Sequence, residues 1–173
     1  MLHHFIVPLD GSPLSERVLP PVAYLSRRMG SRVTLVKVAG GREETNEGRE
    51  YEVGERREAR TYLEYICGGL RKAGVAADFE VLCGRPAEAV VHLARVREAG
   101  IIAMSSHGRG GLARWLLGSV TDKVVRIAAT PVLVVGGSAA SAAADAGELR
   151  TVLVPLDGSR GAEAALAVGE PLA

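Results

Sequence analysis

The sequence predicts an α/β domain with a mostly parallel, doubly wound sheet. Short runs rich in β-branched residues alternate strictly with longer amphipathic runs up to Gly136, five of the first kind and four of the second. Right-handed crossovers then lay helices on both faces. The 173 residues suffice for one full domain and at most a fragment of another. Hydrophobic residues reach 47% while aromatics are only 4%, so a packed core is expected and Val, Leu, Ile and Ala must fill it.

Taken in order, His4–Leu9 and Arg32–Ala39 are apolar and β-branched and read as buried strands. Between them Pro13–Met29 reads as a helix opened by Ser12 as N-cap with Pro13 at its first position. Gly30 closes it, and Pro20 and Pro21 are expected to kink it. From Glu47 to Ala73 a heavily charged stretch passes into apolar residues at Ala59, Tyr62, Leu63, Ile66 and Leu70, the spacing of a helix with one buried face, stopped by Gly74. The alternation continues with strand Ala77–Cys83, helix Pro86–Arg97, strand Ile101–Ser105, helix Ser119–Ala128 and strand Val132–Gly136.

Several function classes fall away. Twenty-one basic residues against 20 acidic ones give a net charge of +1, too little to draw in nucleic acid or an anionic membrane. The lysines are Lys37, Lys72 and Lys123, and no Gly-x-x-x-x-Gly-Lys-Ser/Thr loop occurs. No stretch approaches the ~18 apolar residues of a membrane span, and the first ten residues do not resemble a targeting signal. A soluble, cytoplasmic protein is expected. Cys67 and Cys83 lack metal-ligand spacing and read as two buried thiols.

The chain also repeats itself. Val7–Ser12 recurs as Val154–Ser159, six identities at an offset of 147, and Glu16, Leu19 and Leu25 recur as Glu163, Leu166 and Leu172. The small and polar run Gly136–Arg150 between the copies has the composition of a flexible linker. The expected organisation is a complete domain over 1–137, a linker over 138–150, and the first strand and part of the first helix of a second domain over 151–173.

In doubly wound sheets ligands sit beyond the carboxyl ends of the strands. Two such ends carry unusual residues. After the first strand comes Pro8-Leu9-Asp10-Gly11-Ser12, where Asp10 either accepts from a ribose hydroxyl or an adenine amine, or caps the turn before the first helix. After the fourth come Met104-Ser105-Ser106-His107-Gly108, then Arg109 to Leu117, then Gly118-Ser119. Gly108 and Gly118 allow close backbone approach, and the helix beginning at Ser119 offers amides and a dipole to a phosphate. The alternative is a plain capping box, Ser119-x-x-Asp122. His107 reads as a loop-ordering or ligand-edge residue rather than an acid or base, since no partnered carboxylate or nucleophile is near it in sequence. The mixed-sign run from Gly41 to Arg60 reads as a solvated face, and Trp115 as a packing or subunit contact.

Together the opening Ile6-Val7-Pro8-Leu9-Asp10-Gly11-Ser12, the middle Cys83-Gly84-Arg85-Pro86-Ala87-Glu88 and the run Ser105–Val135 resemble the universal stress protein family over Leu2–Gly137, and the second copy is similar to its tandem members. The resemblance implies an open five-stranded parallel sheet of order 3-2-1-4-5, a Rossmann-like fold of the adenine nucleotide hydrolase-like type. In the ATP-binding branch, Gly-x-x-Gly, nine residues and Gly-Ser/Thr hold the phosphates. Carried over, this implies phosphate contacts at Gly108, Gly118, Ser119 and Val120, with Ser105, His107 and Arg109 in the same segment. Adenosine contacts would fall on Pro8, Leu9, Asp10, Val38 and Met104. The implied cofactor is ATP, with ADP or AMP as alternatives, together with Mg2+. Ser105 replaces the motif's first glycine; if φ is positive there, the side chain costs about 1–2 kcal/mol, about tenfold in affinity. Gly100, where members often carry an acidic residue, bears on fold stability. The closing strand, Pro131–Val135, is the edge through which the family pairs into homodimers.

The leading expectation is therefore an ATP-binding stress-response module whose nucleotide state alters dimer shape or partner choice, with no assigned catalytic residue and at most a weak ATPase. A dimeric partner-binding scaffold that has lost nucleotide binding is the alternative, favoured by Ser105. An adenylating enzyme is disfavoured, because Asp10-Gly11-Ser12 stands where its Ser-Gly-Gly-x-Asp-Ser loop would follow the first strand.

Overall fold

The computed structural model of the chain describes residues 2–39, 46–106, 117–136 and 151–172. The strands are β1 (His4–Pro8), β2 (Arg32–Val38), β3 (Ala76–Leu82), β4 (Ile101–Ser105) and β5 (Val132–Val135). All pair in parallel, in the order β3-β2-β1-β4-β5. The expected strand ends hold to within one residue, because each apolar run stops where a polar or glycine-bearing turn begins.

The helices are α1 (Pro13–Glu16), α2 (Leu19–Met29), α3 (Asn46–Lys72), α4 (Pro86–Val96) and α5 (Ser119–Ile127). Ser12 caps α1 as expected, its Oγ accepting from the Ser15 amide at 3.1 Å. Gly30, in the left-handed region at φ 64°, closes α2. The expected kink at Pro20 and Pro21 is instead a full break at Arg17–Val18. Neither proline can donate to the carbonyl four residues back, so the first helix stops at Glu16 and a new one starts with both prolines in its first turn, where a missing donor costs nothing.

Successive residues of the strands serve opposite faces. Phe5, Val7, Val33, Leu35, Ile101 and Ala103 pack against Val18, Val22 and Leu25 at α2 and Leu63, Cys67 and Leu70 on α3. Ile6, Val36, Ile102 and Met104 face the other way, onto Ala87, Val90 and Leu93 of α4 and Val124 of α5. Cys67 is buried as expected, whereas Cys83 is exposed. It follows the last residue of β3, an edge strand, so no neighbouring strand covers that side.

Beyond the sheet, Thr151–Asp157 runs without joining any described strand, followed by α6 (Arg160–Glu163), α7 (Leu166–Gly169) and a single 3-10 turn at Glu170–Leu172. Val168 and Leu172 pack against the first of the two cores. The local geometry of the first copy is repeated. Gly11 and Gly158 have φ of 86° and 80°. The Ser12 and Ser159 amides donate to Asp10 and Asp157 Oδ1 at 2.8 and 2.9 Å, and both serines cap a four-residue helix. Gly169 stands where the first copy has Val22, and a Cβ there would lie 2.9 Å from Val154 Cγ2. Only glycine lets α7 sit this close to its own extended segment.

At the amino end of β1, His4 is buried and its Nε2 lies 2.8 Å from Thr34 Oγ1. Burial, then the Arg32 charge with a smaller contribution from Arg97, holds its pKa below 6.5, against the opposing pull of Asp78 and of the Arg97 backbone. Below pH 6.5 the unfolded chain thus binds more protons at this residue than the folded one. The corresponding stability is complete above that value and is lost as pH falls from it towards the lowered folded pKa, at up to about 1.4 kcal/mol per pH unit. In urea melts at about pH 7.5 and about pH 5.5, wild type is expected to lose more stability than His4→Gln; equal losses would clear His4 of this role.

Candidate functional site

Order β2-β1-β4 places the carboxyl ends of β1 and β4 side by side, at the point where the chain stops adding strands on one side and starts on the other. The two segments singled out from sequence therefore meet. Leu9 is 4% exposed and its amide donates to the Val36 carbonyl at 2.8 Å, fixing how the chain leaves β1. Pro8 and Asp10 are half-buried beside it. Val38 at the end of β2 and Met104 in β4 belong to the same apolar cluster, on the face covered by α4 and α5.

The departure at Ser105 carries no backbone strain. Ser105 is the last residue of β4, paired with Val135, and among the described residues Glu98 is the one non-glycine with positive φ. The anticipated conformational penalty is thus not incurred in this structure. Thr121 Oγ1 donates to the Ser105 carbonyl at 3.0 Å, and the Ser106 amide donates to the Val135 carbonyl at 2.9 Å.

Next, the Gly118 amide donates to the Ser106 carbonyl at 2.7 Å, so the start of α5 is tied to the end of β4. Gly118 has φ −57° and ψ 149° and caps α5 without a side-chain bond. The capping-box alternative is not realised: Ser119 is the first helical residue, and Asp122 makes a two-oxygen pair with Arg126 at 2.9 and 3.0 Å. Because Gly118 spends its amide on Ser106, the donors α5 can present to an anion are the Ser119 and Val120 amides and the Ser119 hydroxyl, all on exposed residues. That donor set fits a phosphate. His107, Gly108, Arg109 and Trp115 lie outside the described residues.

Asp10 takes the turn-capping role that the sequence left open, its Oδ1 accepting from the Ser12 amide. Sequence reasoning missed what surrounds it. Lys37 Nζ on β2 donates to the Asp10 carbonyl at 2.7 Å and lies 5.7 Å from the centre of the Tyr62 ring. Tyr62 on α3 donates its hydroxyl to Glu16 of α1 at 2.9 Å. Burial and the Glu16 carboxylate hold the Tyr62 phenol well above its usual range, so it stays a donor. The one signal in the sequence was a lysine interrupting the apolar run Val33–Val38.

A model of the universal stress protein family matches residues 1–136. The chain belongs to the universal stress protein family. The universal stress protein Rv2005c of Mycobacterium tuberculosis is 30% identical over 131 residues, 75% of this chain and 44% of that protein. This chain thus spans under half of that relative's length. The solved structure of the hypothetical protein MJ0577 superimposes with a TM-score of 0.73 at 31% identity, covering 79% of this chain and 96% of that one. That of a universal stress protein from Archaeoglobus fulgidus in complex with dAMP gives a TM-score of 0.58 at 25% identity, covering 78% and 98%. The family fold, with its 3-2-1-4-5 sheet, is the one described above.

Proposed function

We propose that this universal stress protein is a cytoplasmic ATP-binding module whose nucleotide state alters its pairing or its choice of partner. One observation carries the reading: the start of α5, which no side chain caps, opens at the carboxyl end of β4, beside the end of β1. The dAMP bound by the Archaeoglobus relative supports an adenine nucleotide as ligand class. In this reading the phosphates of ATP, ADP or AMP, with Mg2+, lie on Gly108, Gly118, Ser119 and Val120, with Ser105, His107 and Arg109 beside them. The adenosine lies among Pro8, Leu9, Asp10, Val38 and Met104. The ligand supplies charge at this site, and the chain supplies donors that orient it. No residue is assigned to activating water. Copies pair through the edge at Pro131–Val135, and 151–173 opens a second unit of the same kind after a linker over 138–150.

The test is calorimetric titration of the dialysed protein with Mg-ATP, competed with ADP and AMP, with Gly118→Trp as the blocked control. Saturable binding near one ATP per chain, lost in the control, is expected. No heat up to millimolar ATP would overturn the reading and favour the nucleotide-free scaffold. That second reading has its own support: Gly118 and Asp10 both already bond within the chain.

A further inference from the structure

The loop that turns from β1 into α1 is held from outside by residues that no nucleotide contact requires. Lys37 reaches it from β2, 27 positions away in sequence, and spends an ammonium proton on the Asp10 carbonyl at 2.7 Å. Its amine lies 5.7 Å from the centre of the Tyr62 ring, within the range in which a ring face attracts a cation. Tyr62 is itself fixed by its hydroxyl bond to Glu16 in α1. Strand β2, helix α3 and helix α1 thus converge on one turn, and the lysine, tyrosine and glutamate are all half-buried, where charge-assisted bonds outweigh their exposed counterparts.

Two carboxylates, Asp10 and Glu16, lie in this cluster at the edge of a site proposed to take an anion. Lys37 brings a positive charge to the same turn, and a cation there offsets part of the repulsion those carboxylates exert on a phosphate. We infer that Lys37, backed by Tyr62, is a positioning residue that fixes the Asp10 turn for ligand uptake. The inference rests on the nucleotide reading for its functional half, while its structural half stands on the turn itself. The protein carries its own reference for that half. The turn at Asp157–Ser159 makes the same two bonds, at 2.9 and 3.1 Å. Asp157 and Ser159 are exposed, whereas Asp10 and Ser12 are half-buried.

The experiment measures amide exchange by NMR at Ser12, Ser15, Ser159 and Leu35 in wild type, Lys37→Met, Lys37→Arg and Tyr62→Phe, and titrates each with Mg-ATP. Lys37→Met is expected to speed exchange at Ser12 and Ser15 about tenfold, towards the Ser159 rate, and to weaken ATP about tenfold, while Leu35 in the core is unmoved. Lys37→Arg, which keeps a donor of similar reach, is expected to restore both. Tyr62→Phe removes a single oxygen and is expected to fall between, which keeps the test open if Lys37→Met does not fold. Unchanged exchange at Ser12 in both Lys37→Met and Tyr62→Phe would overturn the inference. Faster exchange with unchanged ATP affinity would overturn its functional half. Wild type that takes up no nucleotide would overturn the proposed function instead, and the exchange comparison would still decide whether Lys37 holds the turn.

Discussion

Ser119→Glu is expected to abolish ATP binding, by about a hundredfold or more, without harming the fold. The substitution puts a carboxylate at the first position of α5, where the proposed phosphates would meet the Ser119 and Val120 amides. Two like charges about 4 Å apart at a protein surface repel by up to about 4 kcal/mol, and solvent screening at an exposed residue reduces this towards the ~3 kcal/mol that a hundredfold requires. The same charge at a helix start favours the helix by about 0.3–1 kcal/mol, so the melting temperature should hold or rise. Asp122 does not already play this part, because Arg126 neutralises it from the next turn. Ser119→Ala, which removes only a hydroxyl, should weaken ATP by tenfold at most. Titration and thermal melts of the three proteins check this. Unchanged affinity in Ser119→Glu would place the phosphates away from α5.

The second large effect concerns the fold and uses the repeat. Ile6 and Leu153 occupy the same position in the two copies, yet Ile6 is 0% exposed and Leu153 is 89% exposed. Ile6→Ala removes side-chain atoms between two flanking strands and against Val90 and Val124 of its cluster, where little can relax, and is expected to cost about 4 kcal/mol. Against a typical total of about 5–15 kcal/mol that is a large share. Leu153→Ala should stay within about 0.5 kcal/mol. Urea midpoints measure both. Comparable losses would mean that Leu153 is covered in solution.

Much of this was legible in the sequence because it is local. β-branched runs, the Ser12 cap and the glycine stops at Gly30 and Gly74 act over a few residues, and the strands follow them. The break at Arg17–Val18 depends on which carbonyls two prolines leave without donors, and reading a kink there mistook a terminated helix for a bent one. Cys83 was misjudged because its run reads the same whether its strand is central or at an edge, and the sheet order decides that. Of the candidate site residues, Asp10 and Ser119 stood out by their sequence neighbours, whereas Val120 came only with the family resemblance. Lys37, Tyr62 and Glu16 did not, since they meet across 27 and 46 positions and only the crossing of β2, α3 and α1 joins them. The bond between Gly118 and Ser106 was hidden for the same reason.

The twin Asp-Gly-Ser turns bear on the order of assembly. Residues 157–169 adopt the cap, the left-handed glycine and the interrupted helix of the first copy although Thr151–Asp157 pairs with no described strand. The instructions for that geometry are therefore local and do not require a paired strand ahead of them. In the first copy the same instructions directly follow β1 and precede the other four strands. A turn of this kind closes in microseconds or less, long before β1 can find β4 some hundred residues later. Residues 10–16 can thus take up their turn ahead of the slower, long-range pairing of the central strands.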